Sequence, residues 1–326
     1  MLNIRSFYKS KLGVKRSMSI KDRLRIPVIQ APMFLLSGPE MVIASCKAGV
    51  IGSFPTPNTR TQEQLEDWLI KITDAVDADV DAAPWAINII MHRSNPRRHQ
   101  DLELAIKYKA PMVITALGSP KEAVDSIHSY GGKIYADVIN VDYARKAAAS
   151  GVDGLALVCA GAGGHTGQLS PFAFIDEVKT FFSGEIILAG GMSSGRSVHA
   201  AEVLGADYVY MGTRFIATKE SLAQDEYKQM IIESSVRDIV PSDAITGVKA
   251  NWLRSSLLRA GYDLENMPSA ANIDFASGAD DIKRWRDIWA AGQGVGAIKK
   301  VQSISRVVDQ LESEYIDSKS NKDGRG

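Results

Sequence analysis

His165 stands in "LVCAGAGGHTGQLSP" (157–171), a stretch with four glycines between 161 and 167. Imidazole is the side chain whose ordinary pKa lies closest to neutrality, so it can take up or release a proton at physiological pH. Glycine loses more conformational freedom on folding than any other residue, so a run of it needs a reason such as close backbone approach. Two more glycine motifs follow. "LAGGMSSG" (188–195) carries Gly190 and Gly191, and "MGTRF" (211–215) carries Gly212 and Thr213. Both can aim backbone N–H groups at an anion, and Thr213 adds a hydroxyl.

Other chemistries fit less well. Gly161, Gly163 and Gly167 imitate a dinucleotide fingerprint, but "QLSP" separates them from any helix start, and the next strand ends "LAGG" without an acid for a ribose. No Gly-Lys-Ser/Thr occurs. The five histidines (His92, His99, His128, His165, His199) show no metal-ligand spacing, so no metal is expected. His92 and His99 flank "RSNPRR", read as a solvated loop, while His128 and His199 lie on helix faces. Cys159 has no base beside it in sequence and reads as a small buried hydrophobe.

The elements that must position these groups recur at a regular beat. β-rich runs begin at residues 27, 50, 85, 111, 133, 154, 185 and 207, from "PVIQAP" to "DYVYMGT". Most are continuously apolar, as strands of a parallel sheet covered on both faces should be. Helical patterns lie between them, as in "TQEQLEDWLIKITDAV" and "SGRSVHAAEVLG", and Gly131, Gly151 and Gly205 supply C-terminal stops. Eight strand–helix units within roughly 210 residues suit an α/β fold, a (β/α)8 TIM barrel; an open doubly wound sheet has fewer strands. In that barrel His165 follows strand six, and the glycine pairs follow strands seven and eight, where phosphate is often held. Residues 1–23 form an N-terminal arm, 24–224 the barrel, 225–295 a helical insertion or subdomain over its mouth, and 296–326 the last barrel helix and tail.

Composition sets the outer limits. Of 326 residues 45% are hydrophobic and 23% charged, enough for a large core. Lys plus Arg and Asp plus Glu both total 38, which argues against a nucleic-acid or membrane-surface partner. Two cysteines point to a reducing, cytoplasmic compartment. No apolar run is long enough to span a membrane. The basic first 25 residues lack the core of a secretory signal and only weakly suggest an organelle-targeting segment.

"PVIQAPM", "CAGAGGHTG", "AGGMSSGRS", "LGADYVYMGTRFIAT" and "WAAGQGVG" together resemble the nitronate monooxygenase family, formerly 2-nitropropane dioxygenases, over residues 24–310. The resemblance implies an FMN-dependent TIM barrel that oxidises alkyl nitronates, among them propionate 3-nitronate, with O2 through a flavin semiquinone. It implies that Ala31, Pro32 and Met33 line the flavin, that Asn88 contacts it, and that Gly163 and Gly164 pass beside its ring. Gly190, Gly191, Gly212 and Thr213 would hold the phosphate, and His165 would take the substrate's α-proton or orient its anion. Asp137 departs from relatives with lysine at the end of strand five; it is expected either to pair with a neighbouring base or to bond a ribityl hydroxyl. Gln293 and Trp289 are expected at the substrate, with Trp285 packing the helix on the barrel. The partners implied are a small-molecule substrate and O2, with a homodimer one option. Alternatives are an NAD(P)H-dependent reductase of quinones or enoyl thioesters, a flavin-binding sensor without turnover, and a flavin-free phosphate-binding isomerase.

Overall fold

The computed structural model describes residues 19–267 and 285–320. The arm before residue 19, with its targeting question, the stretch 268–284 and the end of the tail lie outside the described residues. Eight strands form one parallel sheet: β1 (Val28–Gln30), β2 (Gly52–Pro55), β3 (Trp85–Ile90), β4 (Met112–Ala116), β5 (Lys133–Val138), β6 (Gly154–Val158), β8 (Glu185–Ala189) and β9 (Tyr208–Met211). Each pairs with its sequence neighbour and β9 returns to β1. A parallel bridge, Ile29 to Ile51, joins β1 to β2 and closes the barrel. All eight expected strands are present, as is the ring of helices.

Two apolar layers follow from alternation along these strands. Inward residues such as Ile29, Ile51, Ile114, Ala156 and Ile187 fill the barrel. Their outward neighbours, including Val28, Val113, Leu155 and Leu188, pack beneath the helices. That double burial is why the strands read as continuous apolar runs. Local signals start the helices. Thr61 and Asn140 accept from the backbone N–H of Gln64 and Tyr143 at 3.2 and 2.8 Å, and Ser194 forms a reciprocal cap with Ser197. Gly131, Gly151 and Gly205 end their helices at positive φ, as expected. The last helix, Ile304–Ser320, packs between Gly195–Leu204 and Pro39–Lys47 and completes the ring.

Two expectations need correction. The loop "RSNPRR" is one residue shorter than its polarity suggests, since Arg98 already opens the helix Arg98–Lys107 that carries His99. The insertion 225–295 is not purely helical. It has helices Asp225–Glu233 and Arg254–Arg259, and between them an antiparallel ribbon of β10 (Ile239–Ser242) and β11 (Ala250–Leu253). Its third strand is β7 (Gly164–His165), so the insertion reaches down and takes the glycine-rich loop into its own sheet. A two-residue strand has no sequence period to reveal it.

Candidate active site at the barrel mouth

At the C-terminal end of the barrel three strands turn polar at their inward positions. Asn88 from β3, Asp137 from β5 and Tyr210 from β9 stand above the apolar layers. Asn88 Nδ2 donates to the Ile114 carbonyl at 3.2 Å and to Asp137 Oδ2 at 3.4 Å. Asp137 Oδ1 and the Tyr210 hydroxyl are buried and have no partner. Burial raises the Asp137 carboxyl to about 7, against a smaller lowering by Asn88. Burial also drives the Tyr210 phenol well up, and the Asp137 charge adds to it.

His165 reaches the same mouth through β7, which β11 holds by pairing His165 with Ala250 and Gly164 with Asn251. Asn251 Nδ2 donates to the Ala162 carbonyl at 2.7 Å and pins the loop. The imidazole meets Trp285 edge to face, centroids 5.3 Å apart, and Trp285 leans on Trp252 at 4.8 Å. Its Nε2 is buried without a partner, and burial lowers its pKa to about 4. At neutral pH this is a neutral imidazole with a free nitrogen, able to accept a proton.

Within the protein itself, Gly163 is required by a close backbone and Gly164 by its conformation. A Cβ on Gly163 would lie 2.7 Å from the Gly292 nitrogen and 2.9 Å from the Ala291 carbonyl carbon. Gly164 has φ 68°, and a Cβ there would only touch Trp285 at 3.5 Å; conformation, not space, requires it. Gly191 differs. Its φ is 70° and nothing lies within 4 Å of where a Cβ would be, so it borders open space.

Gly191 and Thr213 are both tied to the turn at Gly292–Gly294. Gln293 N and Gly191 N both donate to the Gly161 carbonyl, at 2.9 and 3.2 Å, and Gly292 N donates to Thr213 Oγ1 at 2.8 Å. The Thr213 oxygen is thus already an acceptor, leaving its O–H free to donate. Gly212 faces Met33 Sδ at 3.5 Å and Ala31 Cβ at 3.8 Å from its virtual Cβ, which sets the loop Ala31–Pro32–Met33 beside it. The helix Gly195–Leu204 is not open to an anion: Ser194 caps it, and Glu314 accepts from Gly195 N at 2.8 Å.

Trp289 is removed from the substrate set. Tyr227 stacks on one face at 4.8 Å and the Arg259 guanidinium lies 3.7 Å from its centroid, leaving the ring 4% exposed. Trp285, expected as packing, is the tryptophan that faces His165. Gln293 is exposed at the rim, its side chain next to Gly161. Sequence reasoning missed Tyr210, Asn251 and Asn58. Asn58 accepts from Leu35 N at 2.7 Å and donates to the Met33 and Ser37 carbonyls, holding Leu35 at φ 62° in the loop after β1. Only Asn58 had a signal, as a turn residue after a strand. Cys159 is buried, its thiol pushed up to about 12, so it is inert.

Among the described residues no group of three His, Cys, Asp or Glu could hold a metal ion, and no helix is long and apolar enough to cross a membrane. A surface recess of about 500 Å3 beside Asp225–Glu233 collects four carboxylates, but none of its groups is a buried atom without a partner. The mouth is the better candidate on that ground. Its free nitrogen, carboxyl oxygen and hydroxyl, with open space at Gly191 and the Ala31–Met33 loop against Gly212, fit a flat polar group that carries a phosphate.

Comparison with known proteins agrees. The nitronate monooxygenase family profile matches residues 83–314. A nitronate monooxygenase of Paraburkholderia phytofirmans is 26% identical over 283 residues, covering 73% of this chain and 76% of that protein. A (3aS,4S,5R,7aS)-5-hydroxy-7a-methyl-1-oxo-octahydro-1H-indene-4-carboxyl-CoA dehydrogenase of Rhodococcus jostii is 27% identical over 74% of this chain, which spans 66% of that protein's length. In structure, FabK from Thermotoga maritima has a TM-score of 0.79 at 24% identity, covering 94% of this chain and 98% of that one. Nitroalkane oxidase from Streptomyces ansochromogenes has a TM-score of 0.78 at 20% identity, covering 93% and 100%. Those two likenesses concern the fold.

Proposed function

The chain belongs to the nitronate monooxygenase family, and from that premise we propose that it is an FMN-dependent oxidase that denitrifies alkyl nitronates or their parent nitroalkanes with O2. Membership makes it an oxidoreductase with a flavin cofactor; the choice of FMN, O2 and these substrates, propionate 3-nitronate among them, is our inference. Ala31, Pro32, Met33, Asn88 and Asp137 would hold the flavin ring and ribityl chain, and the backbone of Gly163 and Gly164 would border it. Gly190, Gly191, Gly212 and Thr213 would take a single phosphate, which favours FMN over a dinucleotide. When bound, the flavin would supply the electron acceptor for the substrate.

His165 carries the proposal, because its Nε2 is buried, unpartnered and neutral at the strand end where barrel enzymes work. It would accept the α-proton of a neutral nitroalkane. Trp285 fixes the ring plane, and the β7–β11 pairing fixes its depth. No carboxylate among the described residues bonds the ring, so the imidazolium formed would be stabilised chiefly by the new nitronate charge. Gln293 at the rim would contact the substrate.

Two measurements test this. Denatured protein should release FMN, seen by chromatography. Anaerobic mixing with an alkyl nitronate or nitroalkane should bleach the flavin absorbance, while NADH should not. Bleaching by NADH alone would replace the oxidase with a reductase on the same barrel.

A further inference from the structure

Among the described residues Asp137 is the one acid that the eight strands send into the mouth, and no charge among them answers it. Its neighbours on either side, β4 and β6, present Ala116 and Val158 at the inward positions. Thr115 is bonded to the Tyr135 carbonyl at 3.0 Å. Opposite stand Asn88 and Tyr210. The Asn88 amide is shared with Ile114, so its 3.4 Å contact with Asp137 is a long one. The other titratable groups here, Tyr210 and His165, are both neutral at pH 7, one with its pKa driven up and the other down by burial. Among the described residues no basic side chain acts on its carboxyl; burial and the Asn88 amide are the influences on it. A carboxylate in this position would be buried without a countercharge, a costly arrangement that a carboxylic acid avoids. Burial accordingly moves its pKa to about 7.

We propose that Asp137 and Tyr210, three strands apart around the barrel, form a two-point hydrogen-bonding site for uncharged acceptor atoms of the bound flavin, with Asp137 donating through its protonated carboxyl. The inference rests on the flavin reading above and adds to it the protonation state that binding requires. Both Asp137 Oδ1 and the Tyr210 hydroxyl are buried and unpartnered, so each keeps full hydrogen-bonding capacity for a ligand. Loss of the carboxyl proton sets an acceptor against an acceptor, and the site then repels what it had held.

FMN affinity of the apoprotein, read by quenching of flavin fluorescence between roughly pH 6 and 9, tests the proposal. The wild-type Kd should rise by up to about tenfold per pH unit once the carboxyl ionises. Asp137→Asn keeps a donor at every pH, so its profile should lose that rise; it carries the same FMN phosphate, so any slope the two proteins share belongs to the phosphate. Tyr210→Phe should weaken binding by about three- to tenfold at all pH values without changing the slope. As a flavin-independent readout, infrared pH-difference spectra of the apoprotein should show a carboxylic-acid C=O band that is absent from Asp137→Asn. Failure of the flavin reading would appear as no FMN binding by either protein. Failure of this inference would appear as binding with parallel profiles, or as a wild-type spectrum without the acid band.

Discussion

The two ends of the barrel interior are built from the same strands and treat their polar groups in opposite ways. β5 sends Tyr135 and Asp137 inward, and β9 sends Tyr208 and Tyr210, so each strand serves both ends with residues two apart. At the lower end the Tyr135 hydroxyl donates to Glu185, Lys133 Nζ donates to Glu185 at 2.8 Å, and Tyr208 adjoins Tyr135. Donors, acceptor and charge are matched. At the upper end Asp137 Oδ1, the Tyr210 hydroxyl and His165 Nε2 are buried and unmatched. Buried polar groups in folded proteins are nearly always paired, so a saturated end contributes to stability, and an unsaturated one marks the place of a ligand.

The largest effect should come from the upper end. His165→Asn should reduce turnover of neutral nitroalkanes on the order of 10²–10⁴-fold, and preformed nitronates far less, with FMN still bound. Steady-state assays on both substrate forms check this, and equal small losses would break the contrast. The wild-type rate on neutral nitroalkanes should stay level from neutral pH and fall only on approach to about 4, because the neutral imidazole prevails above its lowered pKa. A fall centred near 6.5 would mean that the ring is solvated.

Asp137→Asn comes next and should stabilise the protein. A raised native pKa means that stability is highest below the unfolded-state value and is lost as pH rises toward about 7. The variant should therefore gain on the order of 2–4 kcal/mol near pH 8, at about 1.4 kcal/mol per pKa unit, and nothing near pH 4. Urea unfolding of the apoproteins at both pH values decides it.

At the lower end the sign reverses. Glu185→Leu strands two donors and should cost about 1–3 kcal/mol in urea unfolding, with turnover per folded molecule unchanged. Lost turnover at full stability would show that the lower end also serves chemistry. The smallest effect is Gly191→Ala. Open space awaits the methyl group but φ is 70°, so strain alone should cost about 1–2 kcal/mol in the same assay.

Much of this was legible in the residue order. The eight strands were readable because both faces of a parallel barrel are covered and each strand becomes an apolar run. His165, Asn88 and the glycine pairs were readable because barrel order assigns strand ends to the mouth. Trp289 was expected at the substrate and Trp285 in packing, four positions apart on one pattern; that Trp285 is the one to meet His165 depends on the ribbon that brings residue 250 to residue 165. Tyr210 was hidden as one more β-former in "DYVYMGT", since its role comes from lacking a partner. The crowding at Gly163 could not be read from its neighbours in sequence, because the backbone that causes it lies 128 residues away at Ala291.

Periodicity, strand count and glycine placement are local properties, and they determined the barrel, the end to suspect of chemistry and the histidine to suspect there. Protonation and partnership depend on distances across the barrel and on burial. The neutral state of His165, the raised pKa of Asp137 and the unused bonding capacity of Tyr210 were therefore decided only by closure of the sheet, which brings strands far apart in sequence around one polar mouth.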